Sequence, residues 1–202
     1  MPAKGKKRKN QIIDAAKQSF MEKGYQSTHV GEICDTLGIA RGTVYQYFSS
    51  KREIIFSILE TLEETFEDIF DCDDLEELIK SNPDKNSISE FIKSKFSKCV
   101  SAVINEPIVI MLMYKEIVGL DDDVIERTNK FIDSIIKILS KDFSALRDKG
   151  IYRKDIDPIL TASFIFGSVQ LLIHEYKRKG KDILDNNVEK SVVDLIMKGM
   201  MP

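Results

Sequence analysis

Apolar residues recur at spacings of three and four along nearly the whole chain, and no segment alternates as a half-buried strand would. Ile12, Ile13, Ala16 and Phe20 mark an amphipathic helix over residues 8–23, and Gly24 follows as its stop. Thr28 is placed to N-cap a second helix over 29–36, with Glu32 in the first turn favourable to the helix dipole. Gly38 ends that helix, and a third, short one begins near Arg41. Ser50-Lys51-Arg52-Glu53 has the form of a capping box and launches a fourth helix, with Ile54, Ile55, Ile58, Leu59 and Leu62 on one face. Asn82-Pro83-Asp84 marks a loop, and Ser87-Ile88-Ser89-Glu90 is a second capping box. Helical patterns then cover 88–104, 107–118, 122–149, 158–179 and 186–199, with Gly119, Gly150 and Gly180 at expected stops. Asp157-Pro158 reads as an N-cap followed by proline at the first helical position. The expected fold class is all-α, without internal repeats.

Charge divides this helical chain in two. Residues 1–53 hold ten Lys and Arg against five Asp and Glu, whereas the remainder holds twenty against twenty-eight. Between Arg52 and Lys80 there are eleven acidic residues and no basic one. Phosphate is repelled by such a segment, so an anion-binding surface is expected to end near Lys51–Arg52. That places a boundary between residues 1–53 and 54–202, although one helix runs through it. Length, 202 residues, and 43% apolar content suit a globular protein of one or two domains. Cys34, Cys72 and Cys99 are far apart and form no CxxC pair, which argues against a disulfide framework or a zinc site and fits a reducing cytoplasm. The basic start lacks a signal-peptide core, and no stretch is expected to approach the roughly 18 apolar residues of a membrane span.

Residues 38–55, GIARGTVYQYFSSKREII, crowd polar and aromatic groups onto the short third helix. If residues 41–48 advance about 100° per residue, Val44 and Phe48 face inward with Ile33 and Leu37. Gly42, Thr43 and Gln46 then face outward, flanked by Tyr45 and Tyr47. Two short helices joined at a glycine turn, the second with a small polar outer face, form a helix-turn-helix, whose second helix enters the major groove. Gln46 can pair with adenine, Arg41 with guanine or a phosphate, and the two tyrosines and Lys51 with phosphates. By geometry alone, an ordinary helical corner with exposed tyrosines remains open.

Residues 12–55 also resemble the DNA-binding domain of the TetR family of transcriptional regulators. The matching residues are Ile12, Ala15, Ala16, Phe20, Gly24-Tyr25, Thr28, Val30, Ile33, Gly38-Ile39, Arg41-Gly42-Thr43-Val44-Tyr45, Tyr47-Phe48 and Lys51. The resemblance implies an N-terminal three-helix DNA-binding domain followed by a larger helical domain that dimerises and binds a small ligand. It implies Thr28 as a phosphate anchor, Arg41, Gly42, Thr43 and Gln46 facing the groove, and Tyr45, Tyr47 and Lys51 gripping the backbone. Ala40 departs from the family by standing where a capping Ser is common, and Cys34 by standing where Ala is usual. As a small buried hydrophobe, Cys34 is read as packing.

For dimerisation the last two helices are the candidates. Residues 158–179 carry too many apolar side chains for one core face, and Gly167 and Ser168 allow close approach. Ile165, Val169, Leu172 and Tyr176, with Val188, Val192, Leu195 and Ile196, are expected to form a four-helix interface between symmetry mates. The expected ligand site draws on Met111, Met113, Tyr114, Phe131, Phe164, Gln170 and His174. Its occupant would be an unidentified small molecule, mainly apolar, with a cation left open by nearby acidic residues. Catalytic signatures are missing: His174-Glu175 is followed by Arg178 where HExxH needs its second His, and no GxGxxG or GxxxxGK[ST] occurs. The chain is therefore read as a cytoplasmic, ligand-responsive regulator, most often a repressor in this family. It would bind a palindromic double-stranded operator as a homodimer, with no membrane partner, cofactor, metal or enzymatic activity. An activator, or a DNA-docked protein-interaction module using its acidic surface, stands as the alternative.

Overall fold

Ten α-helices run through the described residues of the computed structural model, and no strand interrupts them there. Described are residues 3–70, 72–114 and 121–202, with the side chains of 3, 4, 72, 73, 113 and 114 outside the description. The helices are α1 (Ala3–Lys23), α2 (Val30–Leu37), α3 (Arg41–Tyr45), α4 (Lys51–Ile69), α5 (Cys72–Lys80), α6 (Lys85–Asn105), α7 (Ile108–Tyr114), α8 (Asp122–Asp148), α9 (Pro158–Arg178) and α10 (Asn186–Met200). The all-α expectation holds. Gly38, Gly150 and Gly180 sit at positive φ (62°, 72° and 61°), a conformation that favours glycine and ends α2, α8 and α9. Gly119, and Glu116 among the acidic residues near the expected ligand site, lie outside the described residues.

Two compact units divide the chain: residues 1–63 with 107–131, and residues 64–106 with 132–202. Both α4 and α8 run from one unit into the other as single helices. In the first unit α1 packs on α2 and α7, and α2 on α3. Ile12, Ala16, Phe20, Ile33, Val44, Ile54 and Ile58 are completely buried there, and the Phe20 and Tyr25 rings meet at 5.3 Å. The second unit packs α6 against α9 and α10 around Phe96, Val100, Val103, Phe143, Tyr152, Phe166 and Val193.

Several helix starts differ from the sequence reading for one reason: another side chain reached the free N–H groups first. His29, not Thr28, is the N-cap of α2, where its backbone N–H donates to the Glu32 carboxylate at 3.1 Å. Three residues ahead of the expected box, α6 begins at Lys85, because Asp84 Oδ1 accepts from the Ser87 amide at 2.8 Å and its hydroxyl at 2.7 Å. At α4 the Glu53 carboxylate takes the Ser49 amide (2.6 Å) while the Glu53 amide donates to Ser50 Oγ (3.3 Å). Asp157 caps α9 as expected, accepting from Ile159 and Leu160 at 2.9 and 3.0 Å. The acidic run holds a helix of its own, α5, which the apolar pattern did not delimit. Where no such stretch was expected, α9 is by length and composition alone long and apolar enough to cross a membrane. Ile159, Leu160, Phe164 and Leu171 of this helix are exposed.

Candidate functional site

The short third helix is shaped by its two faces. Val44 and Phe48 are 0% and 3% exposed, so they anchor it to the first unit's core. Regular α-helix ends at Tyr45, earlier than the expected residue 48, yet the chain keeps turning: the Gln46 amide donates to the Gly42 carbonyl (3.2 Å), and those of Tyr47 and Phe48 to Val44 (2.9 and 3.0 Å). Ala40, the N-cap, contributes no side-chain hydrogen bond, as the sequence implied. On the outer face Arg41, Gly42, Tyr45 and Gln46 are exposed, and Thr43 and Tyr47 half-buried. A Cβ on Gly42 would meet nothing within 4 Å, so this face is open to an approaching surface.

Arg41 reaches back to α2. A Cβ added to Gly31 would lie 2.6 Å from an Arg41 guanidinium nitrogen, so glycine there makes room for the cation. Together with Thr28, His29, Val30, Gly31, Tyr45 and Lys51, Arg41 lines a cleft at the N-terminus of α2. The positive end of the helix and a guanidinium make this cleft suited to a phosphate. His29, Val30 and Gly31 escaped the sequence reading because the cap was assigned one residue too early.

Two expected phosphate contacts have partners within the chain. Thr28 is 0% exposed, and its hydroxyl donates inward to the carbonyls of Ser19 (3.1 Å) and Gly24 (2.8 Å). Its hydroxyl is thus spent on closing the end of α1. Thr28→Val is expected to lower unfolding stability by about 1–3 kcal/mol, since buried acceptors lose their donor; urea denaturation measures it, and an unchanged midpoint would contradict this role. Lys51 is likewise committed: its ammonium donates to the carbonyls of Tyr25 (2.5 Å) and Gln26 (3.1 Å) and lies 4.3 Å from the centre of the Tyr25 ring. It borders the cleft, but its first duty is to hold the turn after α1. Cys34 is 2% exposed, and burial raises its thiol pKa, which fits packing and disfavours thiolate chemistry.

Around this module lie braces that sequence periodicity could not reveal. The buried Tyr25 hydroxyl lies 3.5 Å from Asp121, and burial pushes its pKa up to about 12. Arg52 pairs with Asp123, and Arg127 makes a bidentate bond to Glu63 at 2.6 and 2.7 Å. All three tie the first turns of α8, or the residue before it, to the turn after α1 and to α4.

In the second unit a 90 Å³ cavity is walled mostly by apolar residues of α6, α8 and α9, among them Phe96, Leu139, Phe143, Leu146 and Phe166. The expected ligand residues do not line it. Met111 and Phe131 are buried in the first unit, and the side chains of Met113 and Tyr114 lie outside the described residues. Phe164 is 70% exposed, so it belongs to a surface and not to an enclosed pocket. Gln170 is completely buried with neither amide atom hydrogen-bonded, and His174 is half-buried. Of the expected interface residues, Ile165, Val169, Leu172, Val192, Leu195 and Ile196 line one groove along α9 and α10, joined by Leu160 and Phe164; Tyr176 and Val188 do not. Val169, only 7% exposed, is mostly spent within the chain. Alternate positions of α9 are both apolar, which hid its outward set, Ile159, Leu160, Phe164 and Leu171, from a periodicity argument.

Residues 12–58 match the family model for bacterial regulatory proteins of the tetR family. The "Fatty acid metabolism regulator protein" of Bacillus subtilis (strain 168) is 24% identical over 190 residues, covering 94% of both chains. The "HTH-type transcriptional repressor KstR2" of Rhodococcus jostii (strain RHA1) is 23% identical over 195 residues, covering 96% of this chain and 91% of the other. The crystal structure of the transcriptional regulator FadR from Bacillus subtilis in complex with stearoyl-CoA superposes with a TM-score of 0.68 at 24% identity, covering 94% of this chain and 97% of that one. Residues 12–58 thus match the DNA-binding part of bacterial regulatory proteins of the tetR family, and over its whole length the chain is similar to transcriptional regulators of that kind.

Proposed function

We propose that this protein is a repressor that binds a palindromic operator as a homodimer and leaves it when a small, mainly apolar molecule binds. Residues 1–53 act as the DNA-reading part and 54–202 as the ligand-binding and dimerising part, in the cytoplasm and without catalysis. The observation that carries the reading is the division of α3: Val44 and Phe48 spent in the core, and Arg41, Gly42, Tyr45 and Gln46 left open beside a cationic cleft. Gln46 and Thr43 read base edges, Arg41 takes a guanine or a phosphate, and Tyr45 and Tyr47 contact the backbone. The exposed apolar groove of α9 and α10 is the surface a symmetry mate covers.

Release follows from continuity of the helices. Two copies must present their α3 helices about one DNA turn, roughly 34–36 Å, apart or at a multiple of it. The end of α8 braced to Arg52 and Glu63 and the part of α8 lining the cavity are one unbroken helix. A ligand that shifts α8 therefore changes the pose of the reader, and about 2.7 kcal/mol of differential binding suffices for a hundredfold loss of operator affinity.

The test is binding to the DNA immediately upstream of the protein's own gene against a scrambled duplex, at two salt concentrations. Specific binding is expected, with Arg41→Ala and Gln46→Ala each weakening it by roughly 10- to 100-fold. Equal, strongly salt-dependent binding to both duplexes would show phosphate attraction without readout and overturn the proposal for that site. Stearoyl-CoA, the molecule in the Bacillus subtilis complex, is one arm of the ligand screen on the resulting complex.

A further inference from the structure

The wall of the second unit's cavity holds two charged side chains, and they are differently placed. Lys95, from α6, is drawn away by the Ile69 carbonyl (2.9 Å) and the Asp74 carboxylate (3.7 Å), with its ammonium 5.5 Å from the centre of the Phe91 ring. Asp142, from α8, is 7% exposed, and its Oδ1 accepts no hydrogen bond. A buried carboxylate oxygen without a donor is unfavourable by about 1–3 kcal/mol or more, and an apolar surrounding offers it nothing. One helical turn beyond Phe166 on α9, Gln170 is a second buried polar side chain without a partner.

Resting on the reading of this unit as the effector-binding part, we infer that the cavity selects a slender apolar molecule bearing a cationic amine, which donates to Asp142 Oδ1. The apolar body lies among Phe96, Leu139, Phe143, Leu146 and Phe166, where it gains from burial at no polar cost. Three features of the site choose this class. Burial pushes the Asp142 pKa up to about 6, with Lys95 and Lys141 opposing, so the group is mainly ionised at pH 7.5. A bond between two charged partners is roughly twice as strong as a neutral one, which favours an amine over an alcohol. A carboxylate ligand meets like charge across a wall of low polarity, and is rejected. The 90 Å³ volume is smaller than the apolar cavity of about 150 Å³ known to accept benzene, which limits the occupant to a short chain of about three carbons.

Calorimetric titration of the full-length protein with n-propylamine, 1-propanol and propionate at pH 7.5 tests this. Propylamine is expected to bind roughly tenfold or more tighter than either of the others. In Asp142→Asn that preference should fall to within about twofold of propanol, as a neutral amide removes the charge. Asp142→Leu, which replaces the polar group outright, is the second variant should Asp142→Asn fold poorly, and thermal unfolding reports the fold of each. Absence of propylamine binding, equal or tighter binding of propanol or propionate, or a preference that survives in both variants would overturn the inference. Operator binding by the same preparations separates the failures. Specific operator binding without amine selection sinks this inference alone, and a wild-type protein that reads no operator sinks the reading beneath it.

Discussion

A Phe164→Asp protein is expected to be monomeric, to fold as wild type does, and to lose roughly 100- to 10,000-fold in operator affinity. The side chain is 70% exposed in the single chain, and its neighbours Ile159, Leu160 and Leu195 are 65%, 69% and 74% exposed. Little internal packing is therefore at stake, and a surface aspartate is tolerated by one chain alone. Across a twofold axis the same substitution places carboxylates in an apolar contact, where each must be desolvated without a partner. A dimer holds its second reader beside the second half-site, so the loss expected on dissociation is the avidity of two linked binding events. Sedimentation and operator titration on one sample decide it. A variant that stays dimeric, or a monomer that binds the operator as tightly as wild type, would place the interface elsewhere.

Asp142→Asn is expected to stabilise the protein at pH 7 and to do so less and less toward pH 4. Burial lifts the folded-state pKa from its ordinary 3.8 to about 6, with Lys95 and Lys141 opposing; Tyr152 and Cys99 are the other titratable groups on the cavity wall. Between those values the folded chain holds a proton that the unfolded chain has released, so stability falls as pH rises through the window. Above about 6 the penalty of the buried carboxylate is present in full. Two pKa units correspond to about 3 kcal/mol. The asparagine amide brings its own need for partners, so a net gain of roughly 1–3 kcal/mol at pH 7 is expected. Urea denaturation of both proteins at pH 4 and pH 7 measures it. A difference that does not change with pH, or a variant less stable than wild type at pH 7, would show that the carboxylate is better accommodated than its unpaired Oδ1 implies.

Much of the DNA-reading part was legible in advance, because it is built from local signals. Gly38 in the left-handed region, the 0% exposed Val44 and the open Gly42 are consequences of a short helix between a glycine turn and a hydrophobic anchor. Caps were harder. Thr28 has the chemistry of an N-cap and Ser87 the form of a box, yet His29 and Asp84 occupy those positions. Several polar side chains near a helix start compete for the same amides, and the winner depends on where the rest of the chain takes them. Thr28 was drawn to the carbonyls of Ser19 and Gly24 instead, a choice no local pattern records.

What the sequence by itself determined is the helical class, the placing of most helices, the inner and outer faces of α3, and the change from a basic front to an acidic body. These depend on periodicity, glycine and charge, all of which act over a few residues. Tertiary structure alone decided which apolar residues of α9 are core and which are surface. Phe164 and Phe166 are equivalent in the sequence, but two positions along a helix lie about 200° apart, and α6 covers only one side. The same holds for Asp142. It falls three residues after Leu139 and four before Leu146, on the inward stripe of α8, but its charge argued for solvent. Only the packing of α6, α8 and α9 around a common space turned that aspartate into the polar feature of an apolar wall.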